Sequence, residues 1–133
     1  MSKQFEIAQQ IVDELKDDPS VIAVSIFGSI AIGKERPDSD LDIEIVSTTE
    51  SEWRMAKEMR DGIEVDYVYT PKEFLLQKVR DYPFLSYVHT FEVVLLDREG
   101  IMAKVQEDLK AYFSDHPEVR EYWEEVYRTM REH

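Results

Sequence analysis

The sequence predicts an α/β (α+β) domain, a small mixed β-sheet flanked by helices. Three observations predict it. The apolar run Val21 to Phe27 has little alternation and reads as a strand buried on both faces. Residues 41 to 47 and 63 to 69 alternate with period two, as strands with one face on a core do. Around these strands, apolar residues recur at spacings of three and four, the pattern of amphipathic helices.

Taken in order, residues 3 to 17 predict a helix whose stripe is Phe5, Ile7, Ala8, Ile11, Val12 and Leu15. Asp17-Asp18-Pro19-Ser20 ends it. The first strand follows at 21 to 27 and stops at Gly28-Ser29, where a short helix is expected from Ser29 to Ile32. Pro37-Asp38 is turn chemistry, and the second strand opens after it. Residues 53 to 59 suit strand or helix; Asp61-Gly62, a hairpin signal, favours the strand. In the next strand Ile63, Val65, Tyr67 and Tyr69 share one face, opposite Glu64, Asp66 and Val68. Thr70 and Pro71 read as the N-cap and first residue of a helix to about Arg80, with Phe74, Leu75 and Val79 inward. Phe84 to His89 predicts one or two helical turns, and Glu92 to Leu96 a short strand closed by Asp97 to Gly100. His89 has no spacing that ties it to the carboxylates and reads as structural. Residues 101 to 113 and 118 to 131 are amphipathic again, the latter through Val119, Tyr122, Trp123, Val126, Tyr127 and Met130.

The 133 residues suffice for one domain with a real core. With no cysteine, disulfides and thiolate metal sites are excluded. No apolar run has the length of a membrane span, and the first ten residues lack a signal-peptide core, so a soluble cytoplasmic chain is expected. The net charge of −13 repels a long polyanion and argues against general nucleic-acid binding. It suits a cationic small molecule or a protein side chain as the partner of any chemistry.

The chemistry is concentrated in residues 21 to 46. Asp40, Asp42 and Glu44 alternate with Leu41, Ile43 and Ile45, which places the three carboxylates on one face. Asp40 and Asp42 point the same way and repel, so a divalent cation is a natural way to keep both ionised. All-oxygen ligands suit magnesium, which takes one or two carboxylates and completes its shell from phosphates and water. Glycine at 28 lets the backbone approach a ligand. A strand that ends in Gly28-Ser29 before a helical turn aims N–H groups and a hydroxyl at an anion. An anion cradle facing a carboxylate pair suits phosphoryl transfer. Lys34 and Arg36 are loop charges or contacts for a phosphate tail.

Gly28-Ser29, ten residues and then Asp40-Leu41-Asp42 resembles the signature of the DNA polymerase beta-like nucleotidyltransferase superfamily, in its small bacterial, archaeal and aminoglycoside-type forms. Gly33 and Ser39 match its further Gly and Ser, and the likeness is clearest over residues 20 to 70. The resemblance implies residues 1–113 as a nucleotidyltransferase domain. It implies phosphate contacts from Gly28, Ser29, Lys34, Arg36 and Ser39. It also implies a third carboxylate on a later strand, for which Asp66 is preferred and Glu64 competes. Asp40, Asp42 and Asp66 would then hold two magnesium ions and carry a nucleoside monophosphate, AMP from ATP in the first instance, to an acceptor hydroxyl with loss of pyrophosphate. Residues 114–133 form a C-terminal amphipathic helix that packs on this domain, meets a second copy or a partner, or begins a further helical domain.

Two rival readings stand beside the enzyme. Small proteins resembling this one act as antitoxins that bind or AMPylate a helical toxin, and the acidic surface and aromatic last helix suit that role. An inactive nucleotide-binding relative is the other, against which the full acid set argues.

Overall fold

The first helix, α1 (Lys3–Leu15), begins where Ser2 Oγ accepts the Phe5 N–H at 3.2 Å. Its buried face is Ile7, Ala8, Ile11 and Val12. In this computed structural model, which describes residues 2–33 and 36–131, the far end of α1 is closed by Arg98. The Arg98 guanidinium donates to the carbonyls of Lys16, Asp18 and Val21, the last at 2.6 Å. A cation on the exposed carbonyls of a helix C-terminus satisfies both their lone pairs and the helix dipole.

The strands are β1 (Val21–Phe27), β2 (Leu41–Ser47), β3 (Arg54–Arg60), β4 (Ile63–Pro71) and β5 (Val93–Asp97). They form one sheet in the order β3-β4-β2-β1-β5, with β2 and β4 parallel and every other pair antiparallel. The sheet is mixed, as the sequence predicts. Apart from Phe27 at its end, β1 is buried throughout, because it lies between two strands and both its faces are covered. The hairpin from β3 to β4 turns on Asp61 (φ 50°) and Gly62 (φ 80°), two consecutive left-handed residues that match the twist of the strands.

One face of the sheet packs on α1, through Val24, Ile26, Leu41, Ile43, Ile45, Val65 and Tyr67. The opposite face carries Ala23, Val46 and Ile22 against Leu75 of α3 (Lys72–Asp81) and Met102 of α4 (Ile101–Asp115). Asp97 starts α4 by accepting the N–H groups of Met102 (3.1 Å) and Ala103 (3.0 Å). The last helix, α5 (Pro117–Arg131), lies on α4: Trp123 and Val119 pack on Val105, Leu109 and Phe113, and Trp123 Nε1 donates to the Phe84 carbonyl at 2.6 Å. Among the described residues, no helix is long and apolar enough to cross a membrane.

Several local expectations are corrected. Helix α3 begins at Lys72 with Pro71 as its N-cap, so Thr70 does not cap it. The Thr70 hydroxyl donates instead to Glu44 Oε2 at 2.8 Å, a buried acceptor that outcompetes a solvated helix end. Phe74 points outward and is 45% exposed, since Leu75 alone of α3 is buried. Phe84 to His89, by contrast, takes the two-turn alternative, as parts of two 3-10 segments, Pro83–Leu85 and Tyr87–Thr90. Helix α1 ends at Leu15, earlier than the pattern suggests.

Candidate active site

Strands β2 and β4 run parallel with Asp42 beside Asp66 and Leu41 beside Val65. Adjacent strands lie about 4.8 Å apart, so residues in register on one face stand side by side. Asp42 and Asp66 are therefore neighbours because Ile43, Val65 and Tyr67, the residues that flank them, are drawn into the core under α1. Asp40 precedes β2 and is exposed. One carboxylate oxygen from each of Asp40, Glu64 and Asp66 lies within 4.8 Å of the others. Both candidates for the third carboxylate thus reach the site: Asp66 stands against Asp42, while Glu64 lies at its rim, 3.9 Å from Lys57.

The electrostatics are those of crowded acids. Burial, with Asp66 and Asp40 beside it, pushes Asp42 up to about 6. A hydrogen bond shared with Asp66 raises Glu64 above the usual carboxylate range, with desolvation and Asp40 adding to it. Asp66 Oδ1 is buried with no hydrogen-bond partner among the described residues. Converging carboxylates, one of them with an orphaned buried oxygen, fit a hard divalent cation in both charge and ligand type.

Gly28 shapes the other wall. It follows Phe27, which pairs with Asp42 across β1 and β2. Its φ is +74°, and a Cβ built on it would overlap Asp42 Oδ2 and stand 3.0 Å from Asp42 Cγ. Glycine is required here twice over, by the left-handed backbone and by the carboxylate against it. Ser29 is in the one-turn helix α2 (Gly28–Ala31) that starts at this glycine; its side chain lies outside the described residues. Lys34 also lies outside them.

The loop before Asp40 is held by two residues. Ser39 Oγ accepts the Arg36 N–H at 2.7 Å, and the Ser39 N–H donates to the Arg36 carbonyl at 3.0 Å, closing a tight turn. Gln4, buried in the first turn of α1, donates through Nε2 to the carbonyls of Arg36, Pro37 and Ser39, each at 3.1 Å. Gln4 fixes the approach to Asp40 and is not a residue the sequence singles out, since its partners are backbone atoms of a distant loop. Arg36 and Ser39 accordingly sit in the turn that leads to the carboxylates.

Beneath Asp42 on the same face of β2 lies Glu44, beside which the fold places His89, although no sequence spacing ties the two. His89 Nδ1 is 2.8 Å from Glu92 Oε1 and 3.6 Å from Glu44 Oε1, and all three side chains are buried. Burial pushes Glu44 up to about 8, with Glu92 beside it adding, and pushes Glu92 up to about 7. Burial lowers His89.

The model of the family described as "Polymerase beta, Nucleotidyltransferase" matches residues 9–98. A crystal structure of a nucleotidyltransferase-like protein from Exiguobacterium sibiricum superposes with a TM-score of 0.61 at 13% identity, over 80% of this chain and 38% of that one. The chain therefore spans well under half the length of that protein, and the likeness is one of fold. A toxin–antitoxin structure with AMP-PNP is similar at a TM-score of 0.47 and 16% identity, over 90% of this chain and 97% of that one. No curated protein matches. The matched segment runs from within α1 to the residue after β5 and so contains the whole sheet with Gly28, Asp40, Asp42 and Asp66; on that ground the chain belongs to the polymerase beta nucleotidyltransferase family.

Proposed function

We propose that the chain transfers a nucleoside monophosphate, AMP from ATP in the first instance, to a hydroxyl of a cationic small molecule or of a protein side chain. The observation that carries this reading is the registered pair Asp42 and Asp66, with an oxygen of Asp40 and of Glu64 within 4.8 Å of Asp66 and Gly28 closed against Asp42. Asp40, Asp42 and Asp66 would hold the metal. Magnesium there, as two ions, supplies charge neutralisation for a triphosphate and acidifies an acceptor hydroxyl. Backbone N–H groups at Gly28 and Ser29 orient the outer phosphates, and Lys34 and Arg36 add positive charge to the tail. Asp66, or Glu64 at the rim, accepts the acceptor's proton. The new bond joins the acceptor oxygen to the α-phosphorus, the α,β-bridging P–O bond breaks in line, and pyrophosphate leaves.

The test is isothermal titration of each nucleoside triphosphate, with and without magnesium, on the wild type and on Asp40→Ala/Asp42→Ala. Magnesium-dependent binding of one triphosphate that the double variant loses is the expected outcome. Binding unchanged in the variant refutes the assignment of the carboxylates. Pyrophosphate release with candidate acceptors then separates transfer from binding alone.

A second reading, an interaction protein that engages a helical partner, is favoured by one observation. Tyr82, Phe84, Leu85 and Tyr122 are all exposed, and the last three line one depression with Trp123. Copurification of a stable partner that a Tyr122→Glu variant releases supports that reading.

A further inference from the structure

Glu44, His89 and Glu92 form a three-ligand cluster that nucleotide transfer at Asp42 and Asp66 does not use. Glu44 comes from β2, on the same face as Asp42 but one repeat deeper, about 7 Å along the strand. His89 and Glu92 come from the segment that leads into β5. All three are more than nine-tenths buried. One donor atom from each lies within 4.8 Å of the others. Among the described residues no lysine or arginine is ion-paired to either carboxylate.

Two of the atoms facing one another have no partner. Glu44 Oε1 and Glu92 Oε2 are buried without a hydrogen bond among the described residues. Buried lone pairs on two adjacent carboxylates are rare and costly unless something binds them. His89 Nε2 is likewise buried without a partner among the described residues, while other groups of the cluster are held in place. Thr70 Oγ1 donates to Glu44 Oε2 at 2.8 Å, which leaves Oε1 turned to His89. Gln106 Nε2 bridges the carbonyls of His89 (3.1 Å) and Glu92 (3.0 Å), fixing the segment that carries both side chains. Such second contacts are what orient ligands around a metal.

We propose that Glu44, His89 and Glu92 bind one divalent transition-metal ion, zinc, as a structural site beneath the active carboxylates. Bonds of about 2.0–2.1 Å place neighbouring ligand atoms about 2.9–3.4 Å apart. The separations of His89 Nδ1 from Glu92 Oε1 (2.8 Å) and from Glu44 Oε1 (3.6 Å) bracket that range. Two ionised carboxylates, a neutral imidazole and a dication sum to zero charge, which resolves the burial of two acids together. One nitrogen among the ligands selects a borderline ion over magnesium, whereas the all-oxygen site above selects the reverse. The site ties β2 to the chain entering β5 and is independent of whether the upper site transfers nucleotides.

The test uses the full chain as Asp40→Asn/Asp42→Asn/Glu64→Gln/Asp66→Asn, so that the upper carboxylates are removed from the count. The protein is stripped with a chelator, loaded with zinc, desalted and measured by elemental analysis. About one zinc per chain is expected to be retained, and His89→Gln or Glu92→Gln in that background is expected to lose it. Cobalt as a spectroscopic stand-in is expected to give the intense visible bands of a low-coordinate site with nitrogen among its ligands. Should the core variants fail to fold, the stoichiometry and the cobalt spectrum of the Asp40→Asn/Asp42→Asn/Glu64→Gln/Asp66→Asn chain decide alone. Loss of all zinc on desalting, the weak bands of six-coordinate cobalt, or zinc retention unchanged in folded His89→Gln each overturns the proposal and leaves a hydrogen-bonded trio.

Discussion

Gly28→Ala gives the sharpest test of how the Asp42 carboxylate is held. The substitution does two separable things. It places a side chain on a backbone with φ +74°, and it drives a methyl into Asp42 Oδ2. The first effect costs about 1–2 kcal/mol. The second forces Asp42 off its rotamer for another ~0.5–1.5 kcal/mol. Gly33 supplies the control, because its φ is +73° and nothing lies within 4 Å of a Cβ built there. Gly33→Ala should therefore cost only the backbone part, and Gly28→Ala the sum, about 1.5–3.5 kcal/mol. Asp42→Ala isolates the difference. In that background the methyl meets no carboxylate, and the cost of Gly28→Ala should fall to that of Gly33→Ala. The coupling read from such a cycle is expected near 1 kcal/mol, a few degrees in Tm for a domain of this size. Thermal unfolding of the four proteins at one pH, with chelator present, measures it. Equal costs of Gly28→Ala in both backgrounds would refute the argument that this glycine is set by Asp42.

Three further outcomes are expected. Asp42 has a folded pKa of about 6, above its unfolded value, so the folded chain holds its proton more tightly and stability falls as pH rises from about 4 through 6. Asp42→Asn should hence stabilise the metal-free chain at pH 7 by about 1 kcal/mol after allowance for partial exposure, and a variant no more stable than wild type in chelator contradicts this. Gln4→Ala strips three loop carbonyls of one buried donor group; it should lose about 2 kcal/mol by denaturant unfolding and weaken magnesium-dependent nucleotide binding at a site it does not touch, whereas unchanged binding would show that the loop holds Asp40 unaided. Arg98→Ala should lower the unfolding free energy measured in urea by about 2 kcal/mol, and Arg98→Lys should recover little, because one ammonium does not span the carbonyls of Lys16, Asp18 and Val21.

What the sequence made legible is what periodicity encodes. Val21 to Phe27 is apolar on both faces because β1 is central and covered twice, and that burial leaves a direct mark on composition. Asp42 and Asp66 stood out because polar residues on strands flanked by Leu41, Ile43, Val65 and Tyr67 break an apolar pattern at fixed steps, and Asp40 because it continues that step just before β2. Gln4 left no such mark: in the first turn of a helix a glutamine reads as solvated, and carbonyls, its partners, are present at every residue. Thr70 before Pro71 is a good N-cap by local rules, yet a buried acceptor from another strand claimed its hydroxyl. His89 reads as structural, and its partners were hidden for the same reason. Its link to Glu44 is made by the strand order β2-β1-β5, which no local spacing contains.

The same face of β2 descends from Asp42 through Glu44 to Val46, from an open carboxylate to a closed one to apolar core. Only the lowest of these is what packing alone would choose. A buried carboxylate–imidazole cluster is weak support for a fold, and apolar residues of similar volume in its place are commonly neutral or stabilising by about 1–4 kcal/mol. The combined replacement Glu44→Leu/His89→Leu/Glu92→Leu should therefore match or exceed the wild type in unfolding free energy when both are free of metal. Adding zinc should raise the wild type by more than the variant, which keeps the upper carboxylates but has lost the lower site, since a ligand that binds the folded state shifts the balance. If the apolar triple variant is instead the less stable protein in chelator, the trio stabilises the fold through its own hydrogen bonds, and the unpartnered oxygens of Glu44 and Glu92 are satisfied without a cation.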